Sequence, residues 1–370
     1  MGQPAPPHNA PGTAAVAWPC GAPRRGVTRA GAECYPRGMT PRAAIVGIAG
    51  TALTGEEAAL FRARPPAGVI LFARNIDGPD GLRCLVAELR RALPSGAVVM
   101  VDQEGGRVAR LQPPYWRAHP PAGVHGALFA RDPALGVRAA WLTGALIGLD
   151  CAAAGFDVVC APVLDLRLPG AHGVIGDRAF AADPRQVAQL GRAMAAGLLA
   201  AGMQPVGKHV PGHGRARVDS HLELPVVTDT DLEADFLPFV ANADLPWMMT
   251  AHVLYPALDE AAPATLSARI LAEVVRGRIG FAGVLVSDDL AMRALDGTPA
   301  ERALGALAAG CDVALYCSGE AGPTAELLAR CPALTEAAAA RLRAARARAA
   351  SGRAALDGTA LAQERNGLLM

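Results

Sequence analysis

Eight short apolar segments of β type, each separated from the next by a longer stretch of mostly helical spacing, run through most of this 370-residue chain, and no other feature restricts its fold as much. They read AAIVGIAG (43–50), GVILFARN (68–75), AVVMVDQE (97–104), DVVCAPVLD (157–165), MQPVGKHV (203–210), WMMTAHVL (247–254), GVLVSDDL (283–290) and CDVALYC (311–317). Strand and helix in alternation are the pattern of a parallel sheet with crossover helices, and eight strands suffice to close such a sheet on itself. Near-continuous apolar character implies burial on both faces, as a barrel wall between an inner core and outer helices requires. Helical segments such as 81–93, 184–202 and 267–280 lie between the strands, several ending in the Gly that suits a helix C-terminus. The expectation is an α/β fold, a single (β/α)8 TIM-type barrel over residues 41–352, with a disordered N-terminal extension (1–40) and a C-terminal tail (353–370) after one or two closing helices. The longest gap, between the third and fourth strands, carries PPYWRAHPP (113–121), read as an active-site loop leading into a long helix.

At 52% hydrophobic and 19% charged residues the chain can bury a large core without disulfides or metals. A formal net charge of +1, with the arginines scattered, gives no electrostatic case for nucleic acid or a membrane surface. The Arg-rich run RLRAARARAA (341–350) reads as the solvated face of a terminal helix. Eight irregularly spaced cysteines, several inside apolar runs, suggest a reducing compartment. The first forty residues show no basic segment leading into an apolar run, Met39 is a candidate start site, and no run reaches the ~18 apolar residues of a spanning helix. A cytoplasmic monomer acting on a small molecule, with no nucleic-acid or membrane partner, is the expectation.

In this architecture the active site forms at the C-terminal ends of the strands, and polarity concentrates there. Strand three runs out into DQEGGRVAR (102–110), four into Asp165, five into Lys208-His209, six into His252 and seven into Ser287-Asp288-Asp289. GKHVPGHGRARVDSHLELP (207–225) places Lys208, His209, His213, Asp219 and His221 on or after strand five. Two chemistries suit that set: metal ligation, against which stand the irregular spacing and the adjacent lysine, or proton transfer, in which Asp219 orients and charges His221. Asp288 suits a nucleophile on an anomeric carbon, and Asp289 an N-terminal cap for the next helix. The acids and arginines of DQEGGRVAR suit sugar hydroxyls. Arg178, in VIGDRAF (174–180), is either a further donor to the site or the ion-pair partner of Asp177.

LFARN, DQEGGRV, APVLD, GDRAF, KHVPGHG with DSH behind it, MTAHV, PATLS and SDDLAM occur here in the order in which they occur in glycoside hydrolase family 3, and over Ala43–Ala350 the chain closely resembles that family's single-domain NagZ-type branch. The resemblance implies a retaining β-N-acetylhexosaminidase, without metal or organic cofactor, that acts on muropeptides or other N-acetylglucosaminides in peptidoglycan recycling. It implies Asp288 as nucleophile, His221 as acid/base assisted by Asp219, and Asp102, Arg110, Arg178, Lys208 and His209 as sugar-binding residues. The family's usual aromatic after KH is Val210 here.

Overall fold

The computed structural model describes residues 40–370, so the expectation for the N-terminal extension lies outside the described residues. Eight parallel strands close into a barrel in sequential order: β1 (Arg42–Gly47), β2 (Pro66–Leu71), β3 (Val98–Val101), β4 (Val158–Val159), β5 (Gln204–Val210), β6 (Trp247–Thr250), β7 (Val284–Asp289) and β8 (Val313–Tyr316), with β8 pairing back onto β1. The crossovers are α1 (Gly55–Ala63), α2 (Pro79–Ala92), α3 (Ala122–Arg131) with α4 (Pro133–Ala154), α5 (Pro184–Ala200), α6 (Glu233–Ala241), a wide-turn helix over Ile270–Arg278, and α7 (Pro299–Ala309). After β8 follow α8 (Ala321–Arg330), α9 (Glu336–Gly352) and α10 (Gly358–Leu369).

Local chemistry sets several helix starts. Thr54 and Glu57 form a reciprocal capping box at α1, Thr298 and Glu301 another at α7, and the Asp132 and Asp183 carboxylates accept the first free amides of α4 and α5. Where the spacing predicts an ordinary helix over 267–280, the chain forms a wider one, with Ile279 N–H donating to the Val274 carbonyl at 2.8 Å. So few turns are too short for the wider period to show in the apolar pattern.

Two layers of core follow from the period-2 alternation of the strands. Ile45, Val98, Met100, Val206, Val284 and Val286 point into the barrel, while Ala44, Val46, Val99, Val101 and Leu285 pack outward against the helices. The same parity carries 98-100-102, 206-208 and 284-286-288 to the inner side, so alternation delivers Asp102, Lys208 and Asp288 to one cavity at the top of the barrel.

The opposite mouth is closed by α9, whose Ala345 joins the inner core. Its arginines are not simply a solvated face. Arg341 reaches Asp312 at 2.6 Å, Arg348 reaches Asp244 at 2.7 Å, and Arg346 donates to the Gly96 carbonyl, all just ahead of strands β8, β6 and β3. Residues 353–370 are likewise no tail: Asp357 caps α10, which packs on α4 and buries Arg365. PPYWRAHPP forms no wall of the cavity. It is drawn instead to the side of α4, where Arg117 and His119 both bind Asp150.

Helix α4 is long and apolar enough to cross a membrane by length and composition, contrary to the sequence reading, but 67% of its most apolar window is buried in the core. Among the described cysteines, 151, 160, 311, 317 and 331 are buried free thiols, whereas Cys84 is disulfide-bonded, so cysteine usage does not assign a compartment.

Candidate active site

A cavity of about 180 Å³ opens at the C-terminal ends of the strands. It falls below the ~300–1,000 Å³ typical of drug-sized ligand sites, a scale suited to a single sugar ring. All the residues expected from the sequence except Asp219 line it, namely Asp102, Arg110, Arg178, Lys208, His209, His221 and Asp288; Asp219 stands directly behind His221.

On one side, five charges of alternating sign form a chain. Arg110 Nη2 lies 2.9 Å from Asp102 Oδ2, Lys208 Nζ lies 2.6 Å from both Asp102 Oδ1 and Glu104 Oε1, and Arg178 grips Glu104 with two bonds of 2.8 Å. Burial pushes the Glu104 carboxyl up, but Arg178 and Lys208 outweigh it and hold it far below the usual range. Burial likewise lowers Lys208, and Asp102 and Glu104 more than reverse this. Glu104, Lys208 and Arg178 are therefore held in their charged forms, and the chain is a rigid array of donors and acceptors matched to sugar hydroxyls. The two readings of Arg178 are thereby separated, because Asp177 pairs with Arg107 at 3.4 Å instead. Arg110 also lies over the ring of Phe72, 5.4 Å from its centre, a cation–π contact between two residues that line the cavity.

Beneath the cavity, Asp165 Oδ2 meets His209 Nδ1 at 2.6 Å, and Asp165 Oδ1 accepts the His213 amide at 2.7 Å. One carboxylate thus fixes the turn after β5. Desolvation would raise the Asp165 pKa, but His209 and His213 bring it below the usual value.

Asp288 ends β7. Burial alone would push its carboxyl up, yet His209, His252, the Asp289 amide and Lys208 together hold it at about 2. The Asp289 amide donates to Asp288 Oδ1 at 2.8 Å, and buried His252 lies 3.0 Å from the Asp289 carbonyl through Nε2 and 2.8 Å from the Thr265 hydroxyl through Nδ1. Asp289 is not a helix cap: its Oδ1 accepts the amides of Ala291 and Cys317, tying the exit of β7 to that of β8, and α7 begins only at Pro299.

At the rim, His221 Nδ1 lies 2.7 Å from Asp219 Oδ1, which also accepts the His221 amide at 2.9 Å. Burial raises the Asp219 carboxyl, and these His221 hydrogen bonds bring it below the usual value. The carboxylate can only accept, so Nδ1 carries a proton and Nε2 is the ring nitrogen available for exchange. The loop is pinned by His213 Nε2 to Ser220 Oγ at 3.0 Å and by Arg215 to Asp235 at 2.8 Å. A second, more open cleft of about 360 Å³ continues past His221 and Arg178, lined also by Arg107, His172 and Asp219.

An ionised carboxylate in the floor, a carboxylate-backed imidazole at the rim and a dense hydroxyl-binding array between them can perform nucleophilic displacement at a sugar carbon with proton transfer to the leaving oxygen. The sequence reading left Glu104, Asp165, His213, Ser220 and His252 without individual roles. Glu104, Asp165, His213 and His252 carried a signal, a polar side chain at or just after a strand end, but each has a partner on another segment of the chain. Ser220 carried none.

The chain matches the pattern described as the N-terminal domain of glycosyl hydrolase family 3 over residues 46–351. It is 41% identical over 290 residues to a β-hexosaminidase of Bordetella avium, covering 76% of this chain and 82% of that one. A β-hexosaminidase of Alkalilimnicola ehrlichii is 44% identical over 281 residues, covering 74% and 80%. NagZ from Neisseria gonorrhoeae, solved with N-trifluoroacetyl-D-glucosamine, superposes with a TM-score of 0.80 at 32% identity, covering 90% of this chain and 99% of that one.

Proposed function

Since the chain belongs to glycosyl hydrolase family 3 and is a β-N-acetylhexosaminidase of the NagZ type, we propose that it cleaves terminal β-linked N-acetylglucosamine with retention, through a covalent intermediate on Asp288. The observation that carries this reading is that one cavity is lined both by Asp288, whose carboxyl pKa is held at about 2, and by His221, which Asp219 backs at 2.7 Å.

Asp288 attacks the anomeric carbon while His221 gives its Nε2 proton to the glycosidic oxygen, so the aglycone leaves neutral. A water then gives its proton to His221 and attacks the same carbon, releasing the sugar and restoring the carboxylate. Imidazole takes the place of the second carboxylate usual in retaining glycosidases. Asp102, Arg110, Arg178, Lys208 and His209 hold the ring, whose scale the cavity suits.

The aglycone lies in the second cleft. Arg107, Arg178, His172 and Asp219 line it; the likeness to NagZ-type enzymes supports 1,6-anhydro-N-acetylmuramic acid muropeptides of peptidoglycan recycling, cleaved in the cytoplasm, as the natural substrate.

Release of 4-nitrophenol from 4-nitrophenyl N-acetyl-β-D-glucosaminide by wild type and Asp288→Ala, both with chelator, tests the assignment. Turnover by wild type alone is expected, with the β-anomer appearing first. Equal turnover by both would move the nucleophile elsewhere, turnover lost to chelator would require a metal, and a faster aryl glucoside would overturn the choice of sugar.

A further inference from the structure

Helix α10 lies outside the stretch that matches the family, 46–351, yet a buried residue on it touches the segment that backs the sugar-binding loop. Arg365, 6% exposed, donates from Nη1 to His119 Nδ1 at 3.0 Å and from Nη2 to the Ala118 carbonyl at 3.3 Å. Guanidinium cannot accept, so Nδ1 of His119 is the acceptor and its proton sits on Nε2, which donates to Asp150 Oδ2 at 3.1 Å. Arg365 therefore fixes both the tautomer and the orientation of this ring.

His119 in turn supports the active-site loop directly. Its carbonyl accepts the Gly106 amide at 2.9 Å. Gly105, at φ +104°, lies so close to the next residue of this backing segment that a Cβ there would sit 2.4 Å from the Pro120 carbonyl oxygen. These two glycines join Glu104 to Arg107 and Arg110, which grip the Asp102–Lys208–Glu104 chain and the 173–175 carbonyls. No atom of α10 lines the cavity.

We infer that Arg365 is a positioning residue for the sugar subsite, with α10 acting as a latch that holds His119 against Gly106 and so sets the placement of Glu104 and Arg110. The inference rests on the proposed sugar site. The latch acts on binding of the ring and leaves Asp288 and His221 untouched, so its loss moves KM and not kcat.

The test compares wild type with Arg365→Met, which keeps the apolar stem and loses the donors, Arg365→Lys, which restores one donor, and Glu364→Ala. Glu364, on the surface of the same helix, pairs with Arg138 of α4, and its loss loosens α10 without reaching His119. With the aryl N-acetylglucosaminide, Arg365→Met is expected to raise KM roughly tenfold, the scale of a lost charge-assisted hydrogen bond, with kcat within about twofold. The inhibition constant of N-acetylglucosamine should rise in parallel, Arg365→Lys should recover most of the loss, and Glu364→Ala should leave KM unchanged. Should Arg365→Met not fold, His119→Leu removes the same contact from the other side and is expected to give the same KM rise. Unchanged KM in the folded latch variant, or equal KM rises in it and Glu364→Ala, overturns the latch. Absence of turnover by wild type overturns instead the sugar-site reading beneath it.

Discussion

Asp165 holds His209 by its Nδ1 atom at 2.6 Å, from beneath the cavity, so that the ring's Nε2 is left for the cavity side. The same carboxylate accepts the amide of His213, so a single buried acid sets the sugar-facing imidazole and the start of the loop that carries His221. Asp165→Asn keeps the size of the side chain and loses its charge. A drop in kcat/KM of about 10–100-fold is expected, equivalent to the ~1.5–3 kcal/mol of a hydrogen bond to a charged group. Wild-type kinetics in that variant would show that His209 needs no such support.

Replacement of His221 separates the two steps of the reaction. His221→Ala should slow substrates with poor leaving groups by about 10²–10⁴-fold, the range of general acid catalysis, and activated aryl glycosides much less. Asp219→Ala should follow the same trend more weakly, because it removes the partner that orients Nδ1 and leaves Nε2 in place. A leaving-group series with equal losses throughout would remove His221 from the acid role.

The low pKa of Asp288 has a kinetic consequence. A carboxyl held at about 2 stays ionised at every pH well above that value. Labelling by a fluorosugar whose fluoride leaves without protonation should therefore be independent of pH between about 4 and 7. A labelling rate that fell with a midpoint inside that range would mean that Asp288 titrates there and is not the ionised nucleophile.

Glu104 links the site to stability. Its folded pKa is depressed, so its contribution is fully present above the ordinary glutamate value of 4.5 and is lost as pH falls below it toward the folded value. Glu104→Gln leaves Arg178 and Lys208 with a partner removed, a change that costs about 3–5 kcal/mol in buried pairs. Thermal unfolding should show the gap in Tm between wild type and variant wide at pH 7 and shrinking below about pH 4.5. A gap that widened on acidification would contradict the assigned charge states.

Strand number, burial of the strands on both faces, and the kinds of residue at the strand ends were legible in the sequence because they are written in local patterns. Alternation at period two places Asp102, Lys208 and Asp288 on the inner side of their strands whatever their neighbours are. Asp219 and His221, two residues apart, likewise form their pair within one loop.

Partner choice was decided only by the closed barrel. Lys208 on β5 meets Asp102 and Glu104 beyond the end of β3, Arg178 takes Glu104 over the Asp177 beside it in sequence, and Asp289 ties two strand exits where local reading suggested a helix cap. Arg365 reaches His119 across 246 positions, which turned an expected tail into a docked helix. Ion pairs and buried hydrogen bonds depend on distances of a few ångströms between distant segments, and those distances are set by strand register, barrel closure and helix docking, none of which the local spacing of apolar residues encodes.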